Sequence, residues 1–154
     1  MEELLDCLKN KHLTIGSCES FTAGLFCAKL AEISGASAVL KGGIVTYATD
    51  IKTNVVGVSS EVVEKDGVIS SSCAKEMALK AKKMLGCDIC VSFTGNAGPS
   101  AMENKPAGLV YIGIAYKDEC RVYEQNIKGN RNTVREDAIF YAANKIKEWI
   151  QEIS

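Results

Sequence analysis

The sequence predicts an α/β fold, a three-layer α/β/α sandwich built on a mixed, mostly parallel sheet. Up to residue 93, short apolar runs typical of strands alternate with segments of helical periodicity, which is the pattern of parallel crossover units. Two further strand-like runs, over residues 109–116 and 120–127, flank a short polar turn and predict an antiparallel hairpin at the edge of the sheet. A chain of 154 residues buries one sizeable core, so we expect a single domain over residues 1–154.

The first part of the chain predicts two strands and their helices. In order, we expect a helix over 2–11, a strand over 13–17, a helix over 25–33 that Gly35 ends, a strand over 38–46 and short helices over 47–57 and 59–65. Leu4, Leu5 and Leu8 give the first helix its apolar side. The adjacent Gly42 and Gly43 in the second strand predict a bulge or the close approach of a ligand to the backbone.

The second part predicts a buried strand, the hairpin and two long helices. We expect a helix capped by Ser70 and stopped by Gly86, a strand over 88–93, the hairpin strands, and a last helix over 132–153. The loop over residues 94–108 is long for so compact a chain, and loops of that length are commonly functional.

Composition indicates a small-molecule partner. The chain has 18 basic and 19 acidic residues and a net charge of -1, so no broad basic field attracts nucleic acid or an acidic membrane surface. No apolar run reaches the roughly 18 residues that span a bilayer. The sequence begins with Met1-Glu2-Glu3, which is acidic where a signal peptide is basic. We therefore expect a cytoplasmic protein with no nucleic-acid or membrane partner.

The seven cysteines are scattered and odd in number, which argues against a disulfide scaffold. Cys87 and Cys90 match C-x-x-C, but no second pair and no suitably placed histidine accompanies them. In a strand, a spacing of three would put their thiols on opposite faces. We expect reduced, mostly buried thiols, no metal site and no cofactor.

Residues 16–24 form the stretch that most resembles a site. They join the first strand to the next helix, which places Ser20 and Thr22 on a strand-to-helix turn. Hydroxyls, free N–H groups and the helix dipole favour an anion or an oxyanion there. Serine and threonine are also ordinary helix N-caps, and the local sequence alone leaves that alternative open.

A base for a serine nucleophile is harder to identify. The only histidine, His12, lies between the first helix and the first strand, away from the Ser20 turn. A desolvated lysine is the usual substitute, because burial lowers its pKa. Residues 72–75 match S-x-x-K without the S-D-N or K-T-G partner motifs, and Lys75 fits a solvated helix face. Lys52, five residues after Tyr47, would face Ser20 if the two strands are neighbours, with an exposed helix position as the alternative.

Five motifs follow one another along the chain. They are E-S-x-T-x-G at 19–24, G-G-x-V-T-Y at 42–47 with a lysine at 52, T-G-x-A-G-P at 94–99, K-P-x-G at 105–108, and G-x-R-x-x-V-R at 129–135. In order and spacing, this series resembles the nicotinamide-nucleotide amidohydrolases, stand-alone relatives of the C-terminal domain of the competence/damage-inducible protein CinA. The likeness covers nearly the whole chain.

The resemblance implies hydrolysis of the carboxamide of nicotinamide mononucleotide to nicotinate mononucleotide and ammonia, a step of pyridine nucleotide salvage. It makes Ser20 the nucleophile, Lys52 the base and Tyr47 the residue that relays or orients the proton. The expected phosphate ligands are Arg131, Arg135 and Lys105. To serve as a base, Lys52 needs a lowered pKa, which requires either desolvation or a nearby positive charge such as that of Arg131 or Lys105. The remaining expected substrate-binding residues are Thr22, Gly24, Gly43, Thr94, Gly95 and Gly98.

Three departures from the family pattern fall in the expected substrate loops. Ala23 replaces a glycine, Asn96 replaces an apolar residue, and residues 100–101 replace a glycine pair. They leave a second hypothesis open, a catalytically idle member that binds a nucleotide and acts through a protein partner. A homo-oligomer is a further open alternative.

Overall fold

The computed structural model describes residues 1–153 and contains a five-stranded sheet between two layers of helices. The strands are β1 (Ile15–Glu19), β2 (Leu40–Val45), β3 (Ile89–Gly95), β4 (Leu109–Tyr116) and β5 (Glu119–Asn126). The helices are α1 (Glu2–Asn10), α2 (Leu25–Ala31), α3 (Thr49–Ile51), α4 (Ser60–Asp66), α5 (Ser71–Leu85) and α6 (Arg131–Glu152). A 3-10 turn covers Ala36–Ala38, and a π-helical turn over Lys52–Val56 directly follows α3.

The sheet is mixed, in the order β2-β1-β3-β4-β5. β1 pairs in parallel with both β2 and β3, and β4 runs antiparallel to both β3 and β5. Four of the five strands therefore point the same way, and only β4 is reversed. The predicted α/β sandwich on a mixed, mostly parallel sheet is confirmed.

The two faces of the sheet have separate apolar cores. On one face, α1, α2 and α6 cover the larger core, which includes Leu4, Phe26, Val91 and Ile146. On the other face, α5 and the segment before it cover a smaller core that includes Met77. The predicted apolar side of α1 faces the first core, and so do the buried apolar residues of α6, as expected of amphipathic helices over a sheet. No helix within residues 1–153 is long and apolar enough to cross a membrane.

Two predicted boundaries were wrong near the start of the chain. β1 begins at Ile15 rather than residue 13, because the N–H of Leu13 donates to Leu8 and that of Thr14 donates to the Asp88 carboxylate. These two hydrogen bonds stabilise the connection between α1 and β1, so residues 13 and 14 do not pair with a neighbouring strand. α2 ends at Ala31, ahead of Gly35, whose φ of 91° starts the 3-10 turn.

The glycine pair in β2 marks the predicted bulge. The register between β1 and β2 shifts between Ile15 and Gly16, opposite Lys41. The other alternative, the close approach of a ligand, has no support on the side of Gly43 where a Cβ would point. A side chain there would meet the Cys27 sulfur at 2.5 Å and the Ser17 hydroxyl at 2.7 Å, so protein atoms already fill the space.

The expectation that the Cys87 and Cys90 thiols lie on opposite faces of the sheet was also wrong. Both side chains belong to the smaller core under α5. Cys87 lies before β3 begins, so the alternation of a strand does not govern its direction. All seven cysteines are free.

Candidate active site

The candidate site is a cavity of about 270 Å³ at the carboxyl ends of the parallel strands. This edge is where ligands bind in open α/β sheets, because adjacent loops diverge there. Five parts of the chain line it: Ser20 and Phe21; Tyr47, Thr49 and Lys52; Val68 and Ile69; seven residues between 94 and 102; and Arg131.

Ser20 is the first residue after β1, and its N–H donates to the carbonyl of Phe93 at 2.9 Å. The chain then turns over residues 20–24 into α2. Ala23 and Gly24 both have positive φ, 49° and 94° respectively. Among the hydrogen bonds of residues 1–153, none uses the N–H of Phe21 or Thr22 as donor. The turn thus presents a serine hydroxyl beside two unpaired donors.

Lys52 is 2% exposed, and its amine reaches the Ser20 hydroxyl. The Nζ donates to Ser20 Oγ at 2.9 Å, to the carbonyl of Thr46 at 2.6 Å and to the carbonyl of Tyr47 at 3.3 Å. α3 and the π-helical turn carry Lys52 back over the end of β2, the neighbour of β1. The structure therefore brings together the two residues that the sequence proposed as nucleophile and base.

Burial lowers the pKa of the Lys52 amine from its ordinary value of 10.5, against smaller raising effects of Cys73, Cys18 and Glu103. Desolvation penalises the charged amine, and this is the largest effect on its pKa. Of the two expected causes, desolvation is thus the one that lowers the pKa of Lys52, and neither Arg131 nor Lys105 is among the main electrostatic effects on it.

The phenol of Tyr47 points to the rim of the cavity rather than to the Ser20–Lys52 pair. The side chain is 57% exposed, and its hydroxyl accepts a hydrogen bond from Arg131 Nη2 at 2.8 Å. Only the backbone carbonyl of Tyr47 contacts Lys52. The hydrogen bonds within residues 1–153 give no route from the phenol to the serine, so the proposed proton relay has no support in this geometry.

The two predicted arginines have different surroundings. Arg131 lines the cavity, donates to the carbonyl of Gly98 at 2.8 Å and contacts Tyr47. Arg135 donates instead to the carbonyls of Phe21 at 3.1 Å and Thr22 at 2.9 Å. Neither guanidinium pairs with a carboxylate within residues 1–153. Arg131 is left with an unneutralised charge beside the cavity.

Lys105 does not line the cavity. Its amine donates to the carbonyls of Asp66 and Ile69 and pairs with Glu103 at 3.2 Å. The Glu103 carboxylate in turn accepts the N–H groups of Val68 and Ile69, both at 3.0 Å. This pair of side chains latches the loop over residues 96–108 to the segment before α5. The predicted phosphate contact of Lys105 has no support in this geometry.

The other predicted substrate-binding residues divide into two groups. Thr94, Gly95 and Gly98 line the cavity, and the Thr94 hydroxyl is bound to the carbonyl of Val68. Thr22, Gly24 and Gly43 do not line it. Thr22 is fully buried with an unpartnered hydroxyl, and Gly24 supplies the left-handed residue that starts α2. These three residues belong to the turn and the sheet next to the cavity, and their side chains do not form its wall.

Sequence reasoning missed two residues that build the site. Glu19 is 1% exposed and accepts bonds from Ser17 Oγ at 2.7 Å and from the N–H of Phe26 at 2.8 Å. Asn96 holds its loop by donating to the carbonyls of Met102 and Lys105 and accepting the Met102 N–H. The sequence signal was present in both cases, since each is a polar residue directly beside a strand end within a motif.

The residues that were set aside lie away from the cavity. Lys75 is exposed on α5, and Ser72 donates to Asp66. His12 is exposed in the link after α1. None of Ser72, Lys75 and His12 lines the cavity.

Residues 1–150 match the model of the family described as the CinA C-terminal domain. A competence-damage inducible protein from a strain of Bacillus cereus is 41% identical over 150 residues, which cover 97% of this chain and 36% of the relative. Its namesake from Bacillus mycoides is 42% identical over 147 residues, 95% of this chain and 36% of the relative. The chain thus spans only 36% of the length of these relatives.

Solved structures have the same fold. A CinA superfamily protein from Klebsiella pneumoniae superposes with a TM-score of 0.95 at 25% identity, covering 97% of this chain and 94% of the other. A competence/damage inducible protein from Agrobacterium tumefaciens gives a TM-score of 0.90 at 29% identity, covering 94% of this chain and 90% of the other.

Proposed function

This chain belongs to the CinA C-terminal domain family, and on that premise we propose that it hydrolyses the carboxamide of nicotinamide mononucleotide to nicotinate mononucleotide and ammonia. One observation carries the proposal. The amine of a buried lysine with a lowered pKa lies 2.9 Å from the hydroxyl of a serine on a strand-to-helix turn. A nucleophile within hydrogen-bond reach of its base is the arrangement that amide hydrolysis requires.

The three acceptors around Lys52 suit an ammonium, and the same neighbours can also serve the neutral amine as the base. A neutral amine has two N–H donors and one lone pair. The carbonyls of Thr46 and Tyr47 take the two donors, so the lone pair is left for the Ser20 proton. When Ser20 Oγ attacks the carboxamide carbon, its proton passes to Lys52, and the resulting ammonium is stabilised by the same two carbonyls.

The remaining steps use the same two residues, Ser20 and Lys52. The oxygen of the tetrahedral intermediate takes the N–H of Phe21, which lines the cavity, as its first oxyanion donor, and the adjacent N–H of Thr22, whose side chain is buried away from the cavity, as the second. Lys52 then protonates the departing nitrogen, the C–N bond breaks, and ammonia leaves an ester on Ser20. A water molecule attacks that ester, giving its proton to Lys52, and the carboxylate product leaves as Ser20 is reprotonated.

We place the phosphate of the substrate at Arg131. This guanidinium lines the cavity with a charge that no carboxylate within residues 1–153 neutralises, and its fork suits a phosphate. The bond from Arg131 to the Tyr47 phenol fixes both at the rim, which gives Tyr47 a role in binding rather than in proton relay.

The test is release of ammonia from nicotinamide mononucleotide by the purified protein, compared with two variants. Ser20→Ala should abolish release while the mononucleotide still raises its Tm. Cys18→Ala should retain release, because the Cys18 thiol is buried and its pKa is raised to about 11 by that burial. Full activity in Ser20→Ala with loss in Cys18→Ala would assign the nucleophile to the thiol. A wild type that gains Tm without releasing ammonia would instead be an idle nucleotide-binding member.

A further inference from the structure

The turn over residues 20–24 is held from the side of α2 by the Glu19 carboxylate. Glu19 lies immediately before the turn, yet it accepts the N–H groups of Phe26 and Cys27, at 2.8 and 3.3 Å, in the first turn of α2. The N-cap residue Gly24 has no side chain to do this. One buried carboxylate therefore joins the residue before the turn to the helix after it.

Arg135 holds the opposite side of the same turn. It reaches across from α6 and donates to the carbonyls of Phe21 and Thr22. In a trans peptide, the C=O and the following N–H point in opposite directions. The bond to the Phe21 carbonyl therefore directs the Thr22 N–H away from Arg135. This N–H, like that of Phe21, has no acceptor within residues 1–153.

The turn is also connected to the support of Lys52. The Glu19 carbonyl accepts the N–H of Thr46 at 2.9 Å, and the Thr46 carbonyl accepts the Lys52 amine. The buried carboxylate, the guanidinium and this backbone link together fix the serine, its two free donors and its base relative to one another.

We propose that Arg135 and Glu19 are positioning residues that hold the Ser20 turn as an oxyanion hole, so that Arg135 is not a ligand of the substrate phosphate. The inference rests on the proposed function for its substrate. It assigns the two arginines of α6 to different tasks, Arg131 to the ligand and Arg135 to the turn. Losing the hold on a turn costs catalysis, because misplacement of a donor by about 1 Å lowers the rate roughly 10²-fold.

The experiment compares Arg135→Gln and Glu19→Gln with Arg131→Gln, using nicotinamide mononucleotide. Both positioning variants should lower kcat by about 10- to 100-fold with KM within about threefold of wild type. Arg131→Gln should raise KM, because it removes a contact to the bound phosphate. If Arg135→Gln raises KM and leaves kcat unchanged, Arg135 is a phosphate ligand and the proposal is overturned.

A second readout does not depend on the nucleotide. A fluorophosphonate probe reacts with an activated serine, and its phosphoryl oxygen takes the same N–H donors as an oxyanion. Mass spectrometry should show Ser20 labelled at least tenfold more slowly in Arg135→Gln and Glu19→Gln than in the wild type.

The matched control is Ser17→Ala, which removes another partner of the same carboxylate but leaves both N–H bonds of α2 in place. It should label at the wild-type rate. If wild type labels but releases no ammonia, the proposed substrate is wrong, and the slower labelling of the two variants still supports their positioning role. Equal labelling of wild type and both variants, or no labelling of the wild type, overturns it.

Discussion

At the scale of single residues, the chemistry depends on one amine and its protonation. Lys52 is buried, its pKa is lowered, and its neighbours are two carbonyls and one hydroxyl. An amine with a lowered pKa loses its proton nearer to neutral pH, so the fraction of enzyme with a competent base rises as pH rises through that lowered value. Above it, the rate should level off.

Lys52→Met should therefore remove the rising limb of the pH–rate profile and lower kcat by about 10²- to 10⁴-fold, the usual contribution of a general base. Lys52→Arg should not restore activity, because a guanidinium stays protonated. Lys75→Met is the control, since Lys75 is exposed on α5 and should change little. A Lys52→Met enzyme with an unchanged profile would leave Ser20 without this base.

The sequence identified Ser20 and Lys52 because each stands at a fixed place in a motif beside a strand end. It could not assign the arginines and Lys105, since a cation near a site binds a ligand or a backbone carbonyl equally well. The positions of α6 and of the loop over residues 96–108 in the fold determine whether each cation meets a ligand or a backbone carbonyl. The role of Glu19 likewise depends on how sharply the chain returns into α2.

At the scale of elements, the turn into α2 carries backbone strain at Ala23. Its φ of 49° lies in the left-handed region, where an L-residue with a Cβ is disfavoured. Ala23→Gly should stabilise the protein by about 0.5 to 1 kcal/mol, since relief of that strain exceeds the extra entropy that glycine loses on folding. Urea unfolding of both proteins measures the difference.

The control for Ala23→Gly is the same change at Ala28, an exposed position within α2. There glycine should destabilise by about 1 kcal/mol, because the backbone is regular helix. Destabilisation of similar size at both positions would mean that the turn does not hold Ala23 in a left-handed conformation.

A second prediction at this scale concerns the latch between Glu103 and the segment before α5. Burial acts to raise the pKa of the Glu103 carboxyl, but the N–H groups of Val68 and Ile69 and the Lys105 amine more than offset it, and the pKa is lowered from 4.5. A carboxyl group whose pKa is lower in the folded than in the unfolded state adds stability at pH values above its unfolded-state pKa. That added stability is lost as the pH falls through the folded-state pKa.

Glu103→Gln should therefore reduce the free energy of unfolding by about 1 to 2 kcal/mol at pH 7, with the difference from wild type shrinking below pH 4.5. Glu64→Gln serves as the control, because Glu64 is exposed and makes no hydrogen bond through its side chain within residues 1–153. A difference that persists unchanged into acid would show that the carboxylate charge does not hold the latch.

Most elements were predictable because their signals are local. Leu4, Leu5 and Leu8 identified α1 by their apolar spacing. The predicted ends of α5 at Ser70 and Gly86 are confirmed, with Ser70 accepting the N–H of Cys73. The errors came where a distant partner decides the local structure. Thr14 leaves β1 because Asp88 binds it, and the fold alone brings residues 14 and 88 together.

At the scale of the whole molecule, strand order places the site. β1 lies between β2 and β3, so the Ser20 turn is adjacent both to the end of β2, which leads to Lys52, and to the end of β3, which leads into the loop over residues 96–108. The sequence predicted the layers and the mixture of strand directions. It did not predict the strand order, and the contact between Lys52 and Ser20 was expected only if β1 and β2 were neighbours.

The arrangement of the whole molecule also predicts a reaction independent of metal ions. Within residues 1–153, no group of three or more cysteine, histidine and carboxylate side chains is arranged to hold an ion, and the Ser20–Lys52 pair has its own base and oxyanion donors. Prolonged treatment with a chelator, followed by gel filtration into metal-free buffer, should leave both ammonia release and Tm unchanged.

The matched comparison is Ser20→Ala, which loses activity with or without the chelator. Activity that falls on chelation and returns with one divalent metal would contradict the assignment of Lys52 as the sole activator of Ser20.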